Sequence, residues 1–487
     1  MTSYRQSRSI ALLVLLIVAS TWTAACSTQV VKSPESVVPA VAASDVGAVA
    51  AAPKFVAEID TAAQRIATTS EAAPDVAWQR LARMVDEYGS RITGSRGLEN
   101  ALAWSVEQMR SDGLDNVRLE PVRVPHWVRG EERARIVKPV DRRLVLLALG
   151  GSVGTSGTLR APVVAFDDLA SLRATRQSLA GKIALVNHRM APFDEAHDNP
   201  GYMEGVQARI HAASEAARHG ARAVLVRSVT ATSLGAPHAG ALEYDKDAAK
   251  IPAAALTVED ADLLARLARR PHGSAVVVEL TLGARTLPDA LSANAIGEIP
   301  GSDRPDEIVV LGAHIDSWDV GPGASDDAAG CAAVMEAMRL LRASGLHPKR
   351  TIRAVLFTAE EYELAGSKDY YLRHHGEKHV AAFETDYGMA APDAIGVGGD
   401  ADAQQAMSVF LPSFQRLGIR RFRDRAFGSD VAPLLKDGAA AFSLIPDGHH
   451  YFDIHHPSAD TLDKIRPEDL RRNASAIALL GYLLAMR

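Results

Sequence analysis

Sixteen consecutive residues, Gly312–Asp327 (GAHIDSWDVGPGASDD), place one imidazole and four carboxylates between an apolar run and an amphipathic stretch. Glu307–Leu311 reads as a buried strand. Ala328–Ser344 reads as a helix whose apolar face carries Cys331, Val334, Met338 and Leu341, so it packs on a sheet. Charge this dense at the end of a buried strand is costly unless something neutralises it. A divalent cation would do so, and an imidazole with carboxylates is a usual zinc donor set. Asp326 and Asp327 could instead cap the helix and complement its dipole. One aspartate suffices for that, which leaves the other free for a second task.

A chain of 487 residues is too long for one ordinary domain, so two or three are expected. The net charge of −6 is mild, and no basic block points to nucleic acid. Residues 1–26 read as a bacterial export signal: Arg5 and Arg8, an apolar run Ile10–Ala19, then Thr23-Ala24-Ala25 before Cys26. The apolar run is too short for a stable membrane span. Cys26 after Ala25 resembles a lipoprotein processing site, although Thr23 stands where leucine is usual. A lipid anchor through Cys26, and simple cleavage giving a periplasmic or secreted protein, both remain open. Residues 27–55, rich in Ala, Val, Ser and Pro, read as a tether. Cys331 is the other cysteine, so there is no disulfide framework, and its place on the core face makes it a packed thiol.

The folded part begins in α/β style over 56–140. Helices are expected at Lys54–Thr68, Asp75–Tyr88 and Leu98–Asp112, and a strand at Val117–Val124. Over 141–287 the style changes to short β-like runs: Leu144–Leu149, Val163–Phe166, Ile183–Val186, Ala223–Val226 and Val276–Leu280. One helix, Val206–His219, interrupts them. The histidines here, His188, His211, His219, His238 and His272, are isolated and read as surface or packed residues. Over 288–487 strand and helix alternate again (307–311, 328–344, 351–358, 361–374, 379–385), which implies parallel strands with crossover helices. A helical stretch Ala401–Leu417 and a closing helix Pro467–Met486 follow. The natural parse is one α/β domain with a β-rich domain inserted after its first strand.

Sites in parallel sheets form at the carboxyl ends of strands. Three expected strands end in charge: one at His314 and Asp316, one at Glu360 and Glu361, one at Asp386. Each alone is weak, since acidic pairs commonly start surface helices; neighbouring strands would gather all three along one edge. A late loop, Tyr451–Asp460, adds His455 and His456. Asp430, in a glycine-containing loop, could touch substrate or cap a turn. Tyr451 could donate to an oxyanion or pack. Trp318-Asp319 reads as structural. Tyr202 and Met203 of the insert could line a substrate pocket.

These residues carry a family resemblance. From about Asp75 to the end, the chain resembles the M28 zinc peptidases. The likeness runs through ITGSRGLENALAW, VPHWVRGEE, LALGGSVGT, GARAVLVRS, GAHIDSWDVGPGASDDAAG, FTAEEYELAGS, ETDYG and HHPSAD, in order and spacing. It implies an α/β peptidase domain on a mixed sheet, with the β-rich insert resembling a protease-associated (PA) domain. It further implies two zinc ions: one on His314 and Asp386, the other on Glu361 and His456, with Asp326 bridging. His456 matches the ligand rather than His455, because it stands four residues before Asp460. Asp316 would orient His314. Glu360 would act as general base, then acid. The family's Asp–Asp peptide, here Asp326–Asp327, is often cis. The implied protein is an exported exopeptidase for dipeptides or short peptides, a carboxypeptidase or an aminopeptidase, with a homodimer allowed. A receptor that has lost catalysis and a one-metal glutaminyl cyclase are more remote alternatives.

Overall fold

The computed structural model describes residues 53–195, 199–232, 234–271, 274–399 and 401–487. The expected export signal with Cys26, the tether as far as residue 52, and His272 lie outside these. Among the described residues, no helix is long and apolar enough to cross a membrane.

Two eight-stranded sheets organise the chain. β1 (Asp115–Val128) opens the first. The second is then built from β2 (Glu132–Lys138), β3 (Arg142–Leu144), β4 (Leu146–Ala148), β5 (Leu159–Phe166), β6 (Ile183–Val186), β7 (Ala223–Arg227), β8 (Ala253–Leu256) and β9 (Val277–Leu282). The chain returns to the first through β10 (Arg285–Ile299), β11 (Arg304–His314), β12 (Arg350–Phe357), β13 (Lys378–Glu384), β14 (Ala394–Val397), β15 (Arg421–Arg423) and β16 (Ala440–Ile445). The first sheet runs β1-β10-β12-β11-β13-β16-β14-β15 and the second β3-β2-β9-β5-β6-β7-β8-β4. In the first, β12, β11, β13 and β16 are mutually parallel neighbours. The pairings β1–β10, β10–β12 and β14–β16 are antiparallel, so the sheet is mixed.

Helices Ala329–Ala343 and Pro467–Met486 cover one face of the first sheet. Both present alanine-rich flanks, with Ala332, Ala333, Ala337, Ala474 and Ala478 fully buried, which lets the helices approach closely. Gly312 and Gly481 keep β11 and the closing helix similarly slim, since a Cβ on either would crowd Phe357 or Leu311. Fully burying leucines such as Leu311, Leu479 and Leu483 contributes about 1.5–3 kcal/mol each.

Several elements differ from the sequence reading. β2 joins the second sheet ahead of residue 141, pairing with β9; Ala134 and Ile136 point inward while Arg133 and Arg135 stay in solvent. The insert has a second long helix, Val258–Ala268, started by Thr257, whose side chain accepts from the Asp260 N–H. The stretch 401–417 splits into Ala401–Ser408 and Leu411–Gln415, since Pro412 at the start of the second cannot continue the first. The helix expected at 361 begins at Ala365. Residues 359–364 instead form a turn, with positive φ at Ala359, Glu363 and Leu364.

The two sheets are locked together at the loops that leave β11 and β12. Trp318 enters the core of the insert beside Trp127, Leu144 and Leu280. Asp319 pairs with Arg129 at 2.6 Å, and that guanidinium lies 5.0 Å over the Trp127 ring. Trp318-Asp319 is therefore a structural clamp, as its sequence suggests. Gly150 and Gly151 make room for it: a Cβ on Gly150 would strike the Trp318 ring, and one on Gly151 would stand 2.8 Å from the Tyr362 hydroxyl. Overpacking of this kind costs about 1–3 kcal/mol. Gly150→Ala is expected to lower stability in urea denaturation by that amount and to reduce turnover, because Trp318 and Tyr362 belong to site-bearing loops. An unchanged midpoint and rate would separate the clamp from the site.

Candidate metal centre

Four neighbouring parallel strands end at the same edge of the first sheet, and each delivers part of one cluster. His314 is the last residue of β11 and Asp326 lies in the loop after it. Glu360 and Glu361 follow β12, Asp386 follows β13, and His456 lies in the loop after β16. Asp326 is central: His314 Nε2 is 3.1 Å from its Oδ1 and His456 Nε2 is 3.2 Å from its Oδ2. On the outer sides, His314 Nε2 is 3.2 Å from Asp386 Oδ1, and His456 Nε2 is 3.1 Å from Glu361 Oε2. His314, Asp326 and Asp386 present donor atoms within 4.8 Å of one another, and so do Asp326, His455 and His456. His455 stands further off, its Nε2 3.6 Å from Asp326 Oδ2, with its ring stacked on His456 at 3.5 Å.

The two adjacent aspartates divide the tasks that the sequence left open. Asp327 caps the helix, accepting from the Gly330 N–H at 3.1 Å, and also accepts from the His314 N–H at 3.2 Å. Asp326 makes no such cap and turns toward the imidazoles. The peptide between them is cis. Asp460 fixes the turn from below, accepting from the Ser325 N–H at 2.7 Å and the Asp326 N–H at 3.0 Å.

Asp316 acts differently from the expectation. His314 Nδ1 faces the Asp316 main-chain oxygen at 3.2 Å, while the carboxylate is 3.7 Å away. The carboxylate accepts instead from the Glu360 N–H at 3.0 Å and the Glu361 N–H at 3.3 Å. These bonds hold the turn that replaces the start of the expected helix, so Asp316 positions both glutamates. Cys331 is buried beneath His314, its Sγ 3.1 Å from the His314 carbonyl oxygen, and burial pushes the thiol well up.

The other expected site residues lie around this cluster. Tyr451 is buried and packs with Phe452, Met190, Val206 and Val229, its ring 5.2 Å from His455. The Asp430 N–H donates to Glu384 Oε2 at 3.0 Å, and the buried Asp430 carboxylate makes no hydrogen bond of its own. Tyr202 stacks on Phe452 at 4.3 Å, whereas Met203 points to solvent.

Sequence reasoning missed several participants. Arg91, fully buried, donates Nε to Ile315 O at 2.7 Å, Nη1 to Pro322 O at 2.6 Å and Nη2 to Gly323 O at 3.1 Å, pinning the loop after β11. Its acceptors are main-chain carbonyls, which leave no side-chain signal to read. His238, which looked isolated, is buried against His455 and His456, and burial with the nearby His456 lowers it to about 3. Ala239 of the insert donates its N–H to His456 O at 3.0 Å, and its carbonyl faces His456 Nδ1 at 3.4 Å.

Electrostatics show what this cluster lacks. Burial, then neighbouring carboxylates, raise Glu361 and Glu384 each to about 7 and Asp460 to about 8. The same causes push Asp327 and Glu360 well up. His314 and His456 are driven well above the ordinary imidazole range against the effect of burial, His314 by Asp386, Asp316 and Asp326, and His456 by Glu361 and Asp326. Asp326 is held well below the carboxylate range, again against burial, by the two imidazoles. Asp326 Oδ2 and Glu361 Oε1 are buried without a hydrogen bond. Unbonded buried oxygens, facing imidazole nitrogens, fit a donor set built for divalent cations.

Comparisons with known proteins agree with the geometry. Residues 294–481 match the profile of Peptidase family M28, and residues 156–264 match that of the PA domain. Carboxypeptidase Q of Bos taurus is 38% identical over 84% of this chain and 85% of its own length. The crystal structure of a Peptidase M28 precursor from Shewanella amazonensis superposes with a TM-score of 0.82 at 35% identity, covering 89% of this chain and 98% of that one. A zinc aminopeptidase from Bacillus subtilis shares the fold, with a TM-score of 0.62 at 21% identity over 84% of this chain and 94% of its own.

The division between the paired aspartates has a direct consequence. Asp326→Ala is expected to abolish bound metal, read by elemental analysis of purified protein. Asp327→Ala is expected to cost about 1 kcal/mol in chelator-treated protein through the lost cap. Full metal content in the first variant would overturn the assignment.

Proposed function

The chain belongs to peptidase family M28, and from that premise we propose that this metallopeptidase is an exported exopeptidase that holds two zinc ions and hydrolyses dipeptides or short peptides as a carboxypeptidase. The observation that carries the reading is the convergence of His314, Asp326, Glu361, Asp386 and His456 at four adjacent strand ends, with Glu360 beside them. His314 and Asp386 would hold one ion, Glu361 and His456 the other, and Asp326 would serve both. When bound, the ions supply Lewis acidity, lowering the pKa of water and polarising a peptide carbonyl.

The chain's own residues do the rest. With His314 Nδ1 facing the Asp316 carbonyl and His456 Nδ1 facing that of Ala239, each imidazole would keep its proton there and leave Nε2 to an ion held together with Asp326. Glu360 takes a proton from the attacking water and passes it to the leaving amine. Asp316 holds the Glu360 main chain in place for that transfer. A recess of about 10 Å³, lined by Asp326, Glu361, His456 and Trp318, is of the size one water takes. Competent side chains at all five donor positions and at the base support catalysis over a binding role. Two donor groups sharing Asp326 support two ions over the single ion of a cyclase. The carboxypeptidase direction rests on the carboxypeptidase Q relatives, and export on the N-terminal signal.

Two measurements test the reading. Glu360→Gln is expected to keep its metal and lose about 10²–10⁴-fold in turnover, the usual contribution of a positioned base; near-parental turnover would remove Glu360 from the mechanism. N-acetylated dipeptides are expected to be cleaved by the zinc-loaded enzyme, since a carboxypeptidase does not need the free amine. Cleavage confined to substrates with a free amine would reverse the direction.

A further inference from the structure

The edge of the first sheet opposite β1 gathers arginines that the metal centre does not use. Residues 416–425 (RLGIRRFRDR) hold five arginines and one aspartate, in a chain whose net charge is −6. The apolar residues of this run turn inward. Leu417 and Ile419 are buried, and the Phe422 ring of β15 meets Phe414 at 5.4 Å. Arg416, Arg420 and Arg421 are left outside, each with half or more of its side chain in solvent. Arg472 of the closing helix joins them, its Cδ 3.6 Å from where a Cβ on Gly418 would stand.

Ion pairs balance only part of this charge. One buried carboxylate, Asp393, serves two guanidiniums: Oδ1 meets Arg420 at 2.7 Å and Oδ2 meets Arg421 at 2.5 Å. Arg423 comes to 3.6 Å from the same Oδ2. Arg416 pairs with Asp60 at 3.0 Å and Arg472 with Glu468 at 2.6 Å. Pairs as exposed as these are weakly held, so the guanidiniums can turn to another anion.

The N-terminal extension joins the fold at the same place. Pro53–Ala72 is the first described helix. Its Phe55 packs edge-on against Phe410, ring centres 5.6 Å apart, and its Asp60 is the partner of Arg416. Lys54 in its first turn is exposed, and so is Val409 beside Phe410. Residues 27–52, with Cys26 and the expected export signal ahead of them, therefore enter the fold beside the arginine edge.

We propose that this face docks on a membrane surface of anionic phospholipid, with Arg416, Arg420, Arg421 and Arg472 meeting headgroup phosphates. The proposal goes beyond the peptidase reading and needs neither metal nor substrate. A guanidinium meets two phosphate oxygens with parallel hydrogen bonds. Each basic residue at an anionic bilayer surface raises partition about fivefold, an effect that fades within a Debye length of about 8 Å at physiological salt. An anchor at Cys26 would hold the face near a bilayer and raise its effective concentration there, so that a few such contacts suffice. Nucleic acid is the other polyanion that such a run could meet. The arrival of the N-terminal extension beside the arginines favours the bilayer.

The test measures partition of the full-length, zinc-loaded protein onto vesicles by flotation. One set is phosphatidylcholine alone, the other an equal mixture with phosphatidylglycerol. The N-terminal segment is the same in parent and variant, so the drop between them reports the face. Arg420→Gln combined with Arg421→Gln is expected to lower partition onto the anionic vesicles about 30-fold, fivefold per arginine, and to leave partition onto phosphatidylcholine unchanged. The urea midpoint checks that this variant is folded. Arg472→Gln, which leaves Asp393 its partners, is expected to lose about fivefold and keeps the test decisive if the double variant unfolds. Raising salt to about 1 M, where the Debye length falls to about 3 Å, is expected to shrink the parent's preference for anionic vesicles. Equal partition of the parent onto both vesicles, or a preference that survives the substitutions, overturns the proposal. So does a parent that binds duplex DNA in place of anionic vesicles, or one whose arginines serve instead to pair two copies of the chain in solution.

Discussion

The cluster of buried carboxylates at the edge of the first sheet is the constraint to which the surrounding structure answers. Asp326, Glu361 and Asp386 cannot all be anions in an apolar setting without positive charge between them. In the protein alone, protons fill that role: His314 and His456 are drawn toward their charged forms, and Glu361 and Asp460 toward their neutral ones. Asp326 alone is held firmly ionised, between two imidazoles. Two divalent cations would replace those protons, and the same geometry that strains the free cluster would then satisfy it.

Around this edge, other groups hold the loops rather than react. Arg91 ties the β11 loop through its main chain, Asp316 ties the β12 turn, and Asp460 and Asp327 fix the two ends of the turn carrying Asp326. The insert completes the support. Gly150 and Gly151 receive Trp318 and Tyr362, and Ala239 brackets His456 from both its backbone and its ring. A peptidase sheet without the second sheet would keep its donors and lose the orientation of two of the loops that bear them.

Much of this was legible in the sequence because the signals were local. Apolar runs ending in His314, Glu360 and Asp386 marked strand ends, and sequential alternation of strand and helix implied that those ends were neighbours. The paired Asp326-Asp327 hinted at two tasks, and they do divide between a cap and the cluster. What was not legible depended on backbone atoms or on distant pairings. The carbonyls that bind Arg91 exist only once the β11 loop has closed. The acidic pair Glu360-Glu361 looked like a helix start, but the Asp316 carboxylate takes both N–H groups and delays the helix to Ala365. His238 and Arg209 sit among ordinary insert residues, and only the docking of the two sheets brings them to His456.

The most direct test of the centre is a titration of chelator-stripped protein with zinc, counting ions bound and protons released. Two ions per chain with net proton release are expected, because the cations displace protons held by His314, His456 and their carboxylate neighbours. Binding of one ion or none, or binding without proton release, would contradict the proposed two-ion centre.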